Sequence, residues 1–149
     1  MKKLMIFCAV LALAATFTSC NKNNLGDKVS GTYSGYTVAS SQYFNEMVTE
    51  NETLTVKTGG GNLAEITFTS GEWGTYTIKE ATVSKMGKAY QIVGKGTCEM
   101  AGMGGGPANT YECEVDAIVN SLQSAIFTFN VPSVMGGVTV EFRTGVPEN

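Results

Sequence analysis

Histidine is missing from all 149 residues. Its absence removes the side chain most used for proton transfer near neutral pH and the commonest metal ligand. A Ser-His-Asp arrangement is impossible, and no G-x-S-x-G signature replaces it. Basic residues are few, and they neither cluster nor alternate with aromatics into a stripe that could track a nucleic acid backbone. Proline occurs three times and no long helical pattern is present. No apolar run reaches the roughly 20 residues of a membrane-spanning helix. Together these absences predict a single non-catalytic domain without cofactor or metal, expected to be monomeric and not to bind nucleic acid.

What is present begins with an address. "MKKLMIFCAVLALAATFTSC" has a basic start at Lys2 and Lys3, an apolar run from Leu4 to Phe17, and the small residues Thr18 and Ser19 before Cys20. This is the three-part layout of a secretory signal. The small residues before a cysteine that opens a polar tract resemble the lipobox of bacterial lipoproteins, in which that cysteine is lipidated and becomes the mature N-terminus. Phe17 departs from that pattern, and an ordinary secretory signal with an incidental cysteine is the competing interpretation. Residues 1–19 are thus expected to be a signal peptide, residues 20–29 a polar tether from lipidated Cys20, and residues 30–146 the folded domain. The tether lacks an acidic run, and Asn21 stands where Asp would signal inner-membrane retention. The expected location is the cell envelope, on the periplasmic face of the outer membrane, with the membrane itself as a partner through the lipid.

From Gly31 onward side chains alternate. In "AEITFT", Ala64, Ile66 and Phe68 oppose Glu65, Thr67 and Thr69; in "TYECEVDAIV", Tyr111, Cys113, Val115, Ala117 and Val119 oppose Glu112, Glu114 and Asp116. "VTVEFR" sets Val138, Val140 and Phe142 against Thr139, Glu141 and Arg143. Period two with one polar face predicts antiparallel strands around a core. Further strands are expected at Thr32–Val38, Thr53–Lys57, Tyr76–Ser84, Tyr90–Met100 and Ala125–Val131. Between Tyr76 and Ser84 the phase flips, since Tyr76 and Ile78 are even whereas Ala81 and Val83 are odd. A bulge near Lys79 and Glu80 is therefore expected. "SSQYFNEMV" is the one stretch assigned a short helix.

About eight strands joined by short turns can close as an up-and-down barrel or pack as a sandwich. "GTYSGYTV" as first strand, "NETLTVKTGGGNLAEITF" as a hairpin and "WGTYTIKEATVS" as the next pair resemble calycin-like β-barrel lipoproteins of Gram-negative bacteria, over roughly residues 30 to 144. The resemblance implies an all-β, antiparallel, eight-stranded, lipocalin-like barrel of unassigned biochemical role. The G-x-W signature of true lipocalins is missing, and Trp73 lies in mid-chain. Ligand binding of the lipocalin type is therefore not carried over.

The stretch "GTCEMAGMGGGPANTYEC" predicts a hairpin centred between Gly105 and Gly106, with Cys98 opposite Cys113 and Met100 opposite Tyr111. That register also sets Gly96 against Val115 and Lys95 against Asp116, one opposite-charge pair, and an unfavourable Glu99 against Glu112. Directly opposed strand residues lie about 4.5 to 5.5 Å apart at Cα, within disulfide reach, so a Cys98–Cys113 bond is expected in an oxidising compartment, with free buried thiols as the alternative. A phosphate loop is excluded because "MGGGPANT" runs into a strand, and two cysteines without histidine make a poor zinc site.

Candidate ligand contacts are Met86, Met100, Met103 and Met135, which sit near glycines at predicted turns, together with Tyr111 and Phe129. They would form an adaptable apolar rim around a barrel mouth; the alternative is gap-filling at a barrel end. The acidic row Glu99, Glu112, Glu114 and Asp116 is expected to be a solvated outer face. Two functions of different class follow: a filled barrel presenting loops or an outer face to an envelope protein or glycan, and a hollow one taking a small apolar ligand in its lumen or mouth. Bulky inward candidates Phe68, Tyr76, Tyr111, Phe127, Phe129 and Phe142 favour the filled barrel.

Overall fold

The alternating segments form eight antiparallel strands, preceded by one helical turn, in a computed structural model that describes residues 24–102 and 105–148. Helix α1 (Leu25–Val29) leads into β1 (Gly31–Ser41), β2 (Phe44–Gly60), β3 (Leu63–Ser70), β4 (Gly74–Met86), β5 (Ala89–Met100), β6 (Asn109–Ser121), β7 (Ser124–Val131) and β8 (Val138–Thr144). Each strand pairs with its sequence neighbour, and β8 pairs back onto β1, so the sheet closes into an up-and-down barrel. Closure leaves no free sheet edge along the barrel body, which is how small all-β domains avoid edge-to-edge association.

The inward phase is the one the alternation predicts. Phe68, Tyr76, Phe127, Phe129 and Phe142 are fully buried, joined by Tyr33 from β1. Phe68 lies 5.7 Å from Tyr76 and 5.7 Å from Phe129, centroid to centroid, and 5.5 Å from Phe142. Tyr76 and Phe129 approach to 4.7 Å, and Tyr33 meets Phe127 edge-on at 5.1 Å. Each such ring contributes about 1.5–3 kcal/mol through burial alone, so this belt dominates the interior. Tyr111 is only partly buried and packs against the edge of the core.

The bulge falls where the phase flips. Ala64 pairs with Ala81 and Ile66 with Ile78, leaving one residue of β3 against Lys79 and Glu80 of β4. The same extra residue kinks β4 toward β5, whose inner face there carries no side chain. A Cβ on Gly94 would stand 2.9 Å from the Ala81 Cα and the Ile78 Cγ2, and one on Gly96 would strike the Thr77 carbonyl. The "GKG" of β5 is thus the counterpart of the bulge.

Two expectations are corrected. "SSQYFNEMV" is not helical: it forms the β1–β2 hairpin, with Ser41 opposite Phe44 and Ala39 opposite Met47. Its apolar residues come as two adjacent pairs, Tyr43–Phe44 and Met47–Val48, spaced as on a helix face, and the cross-strand pairing of the hairpin overrides that local pattern. The tether does not extend to residue 29. Leu25–Val29 is helical, Gly26 N–H donates to the Gly61 carbonyl at 3.0 Å, and Val29 is fully buried, because the barrel end beneath it needs an apolar plug.

In an up-and-down barrel the turns alternate between two ends. The β2–β3, β4–β5 and β6–β7 turns share one end with α1, here the helix end. The β1–β2, β3–β4, β5–β6 and β7–β8 turns share the other, here the Trp end.

Candidate functional site

At the Trp end the interior stops being apolar. Glu52, on the inward phase of β2 with Leu54 and Val56, is only 5% exposed. Its Oε1 accepts hydrogen bonds from the hydroxyls of Ser70 (2.6 Å) and Thr37 (3.4 Å), both buried. The only ion pair among the described residues joins Arg143 to Glu141, so these hydroxyls, rather than a cation, offset the desolvation of Glu52. Ser70 is placed by its own turn, its Oγ accepting from the N–H groups of Glu72 and Trp73, each at 3.2 Å. A β2 bulge at Glu50 and Asn51, with Asn51 at φ +61°, sets the phase that brings Glu52 inside.

Trp73, carried by the β3–β4 turn, stacks on Phe44 of the β1–β2 hairpin at 5.3 Å and an interplanar angle of 23°. Two buried donors at this end, the Trp73 Nε1 and the Tyr76 hydroxyl, have no oxygen or nitrogen partner, and the Tyr76 hydroxyl has only the weakly bonding Cys98 thiol beside it. Burial first, then the neighbouring Cys98, Cys113 and Glu52, pushes the Tyr76 phenol far above its ordinary range. It stays protonated at neutral pH.

The cysteines depart from the expected register. Cys98 lies opposite Tyr111 and Gly96 opposite Cys113, so the hairpin is centred between residues 104 and 105, and both cysteines are free and buried. The expected Cys98–Cys113 bond is therefore absent. A two-residue shift preserves which face is inward, so alternation could not separate the two registers. Charge separates them at one position: the observed pairing exchanges Lys95–Asp116 for Lys95–Glu114 and sets Glu99 against Thr110, removing the Glu99–Glu112 opposition. Cys98 directs its thiol at the Trp73 carbonyl, 3.8 Å away. Burial raises its pKa to about 11 and that of Cys113 to about 12, so both are protonated and poor nucleophiles at neutral pH.

The four methionines do not share one rim. Met100 packs against the core at the Trp end and exposed Met135 stands in the β7–β8 turn there, whereas Met86 lies at the helix end, 45% exposed. Met103 and Cys20 lie outside the described residues. Alternate turns of an up-and-down barrel fall at opposite ends, which proximity to glycine does not reveal. Phe129 belongs to the aromatic belt, away from either rim, and Tyr111 borders the core near Cys98. The Trp-end rim is built instead from Tyr43 (71% exposed), Met47 (49% exposed), Val48 and Met135. Glu52, Ser70 and Thr37 escaped the sequence reading, although Glu52 continues the even phase of Leu54 and Val56.

Several concavities open on the outer wall. One of about 400 Å³ is lined by Ser34, Asn51, Glu52, Thr53 and Val146, and one of about 330 Å³ by Lys95, Thr97, Glu112, Cys113, Glu114 and Pro132. Another of about 390 Å³ is lined by Gln91, Asp116, Ile118, Ile126 and Thr128. Glu99, Glu112, Glu114 and Asp116 are all exposed, the solvated face their alternation predicts. No group of three or more metal-ligating side chains occurs among the described residues.

No protein-family model matches the chain, and no curated protein matches it. The fold is similar to a crystal structure from Bacteroides fragilis NCTC 9343 described as a "putative outer membrane protein", with a TM-score of 0.65 and 27% sequence identity. The match covers 82% of this chain and 46% of that one, so the barrel spans about half the length of the protein it resembles.

Proposed function

We propose that this chain is a non-catalytic, lipid-anchored envelope protein whose filled barrel serves as a structural or interaction module for another envelope protein or glycan, of the calycin-like lipoprotein type. The observation that carries this is the interior: six aromatic rings occupy it with no exposed surface, and the concavities described above open on the outer wall. Small eight-stranded barrels have interiors just wide enough to be filled by side chains, so a belt of rings competes directly with a lumenal ligand. The outer wall bears Glu, Lys and Thr, the reverse of a membrane-spanning barrel, which is apolar outside and polar within. The outer-membrane description of the similar protein therefore fits attachment by an anchor better than insertion of the barrel. Cys20, after an apolar run and two small residues, supplies that anchor.

Intact mass of protein extracted from membranes tests the anchor: the chain is expected to begin at Cys20 and carry acyl chains, and an unmodified chain retaining Phe17 or Thr18 would overturn it. Melting with a panel of fatty acids, sterols and quinones tests the filled interior, for which no ligand-induced rise is expected.

A further inference from the structure

The charged side chains are sorted along the barrel axis. At the helix end stand Lys28 of α1, Lys57 near the β2–β3 turn, and Lys85 and Lys88 at the β4–β5 turn, all exposed, against Asp27 and Glu65 alone among the described residues. At the Trp end stand exposed Glu46, Glu50, Glu72 and Glu99, and the described turn residues there include no Lys or Arg. Two exposed apolar side chains stand on helix-end turns, Met86 between Lys85 and Lys88 and Leu122 (41% exposed) on the β6–β7 turn. The described chain also starts at this end, because α1 packs on β2, β3 and β4.

From these placements we infer that the helix end is a docking face for an anionic phospholipid surface, with Lys85 and Lys88 at the headgroups and Met86 and Leu122 dipping between them. Charge complementarity selects the partner, and the path of the chain selects the end. Four residue steps separate Cys20 from Asn24, a reach of at most about 14 Å, so an anchor at Cys20 holds the helix end at the bilayer. The inference rests on the anchored reading above for this proximity alone. The acidic end does not cancel the attraction: strands of this length, tilted as barrels require, hold it about 30 Å away, whereas charges are screened over about 8 Å at physiological ionic strength. The Trp end, with Tyr43, Met47 and Val48, then faces away from the membrane.

The test uses protein extracted from membranes, mixed with vesicles of phosphatidylcholine alone or of phosphatidylcholine with phosphatidylglycerol. Amine labelling followed by mass spectrometry reads each lysine. Labelling of Lys85 and Lys88 is expected to fall on the phosphatidylglycerol vesicles, to recover in high salt, and to leave Lys95 on the barrel wall unchanged. Equal labelling of Lys85 and Lys88 on both vesicles overturns the docking face. Flotation on pure phosphatidylcholine reports the anchor separately: protein that fails to float there lacks it, yet must still bind phosphatidylglycerol vesicles if the docking face is real. In that unanchored case Lys85→Gln with Lys88→Gln lowers vesicle partition about 25-fold, each lysine near an anionic surface being worth about fivefold. Binding to neither vesicle, or binding unchanged by the substitutions, overturns it equally.

Discussion

The two ends of the barrel are closed by different chemistry. The helix end is plugged by Val29, and the one buried hydroxyl near it is satisfied, Tyr33 donating to the Val29 carbonyl at 2.5 Å. The Trp end is closed by the Phe44–Trp73 stack beside a buried carboxylate, two occupied hydroxyls and two donors without oxygen or nitrogen partners. A buried donor left unpaired costs about 1–3 kcal/mol, so the second arrangement is the less stable of the two. The helix end is built for closure, whereas the Trp end gives up stability to keep polar groups inside. Departures of that kind concentrate where a molecule meets something else.

Between the ends lies the aromatic belt, and removing part of it has the largest expected effect. Phe129→Ala is expected to cost about 3–5 kcal/mol, because Phe68 and Tyr76 cannot collapse fully into the void. Urea unfolding of wild type and variant measures it; a loss below about 1 kcal/mol would mean that the interior is loosely packed and the contrast between belt and ends is wrong. A smaller loss, about 1–3 kcal/mol, is expected for Glu52→Ala, which strands the hydroxyls of Ser70 and Thr37 without their acceptor. Its unfolding midpoint should fall while the thermal stability of Phe129→Ala remains the lower of the two.

The sharpest comparison has the smallest effect. Tyr33→Phe deletes a made hydrogen bond at the helix end and is expected to cost about 1 kcal/mol. Tyr76→Phe deletes a hydroxyl that has only the Cys98 thiol, a weak partner, beside it and is expected to be neutral or stabilising. Melting the two variants side by side checks this, and equal losses would show that Tyr76 has a strong partner after all.

Outside the β1–β2 hairpin, alternation located the strands, most of their inward residues and the β4 bulge, because a strand buried on one side must place apolar side chains at every second position. The phase break between Ile78 and Ala81 located Lys79 and Glu80 as the extra residues without any knowledge of the neighbours. The sequence also inclined toward a filled interior without deciding it, since Phe68, Tyr76, Phe127, Phe129 and Phe142 announce their volume by phase. Three things were left to the tertiary structure. Register was one: shifts of two residues conserve every face, so the placement of Cys98 against Tyr111 depends on turn geometry and cross-strand charge. The grouping of turns was another, since Met86 and Met135 are alike in sequence and are separated only when the sheet closes. The Glu52–Ser70–Thr37 cluster was the third. Its members come from three strands, and a carboxylate can be recognised as buried only once the hydroxyls that make its burial tolerable have been brought to it.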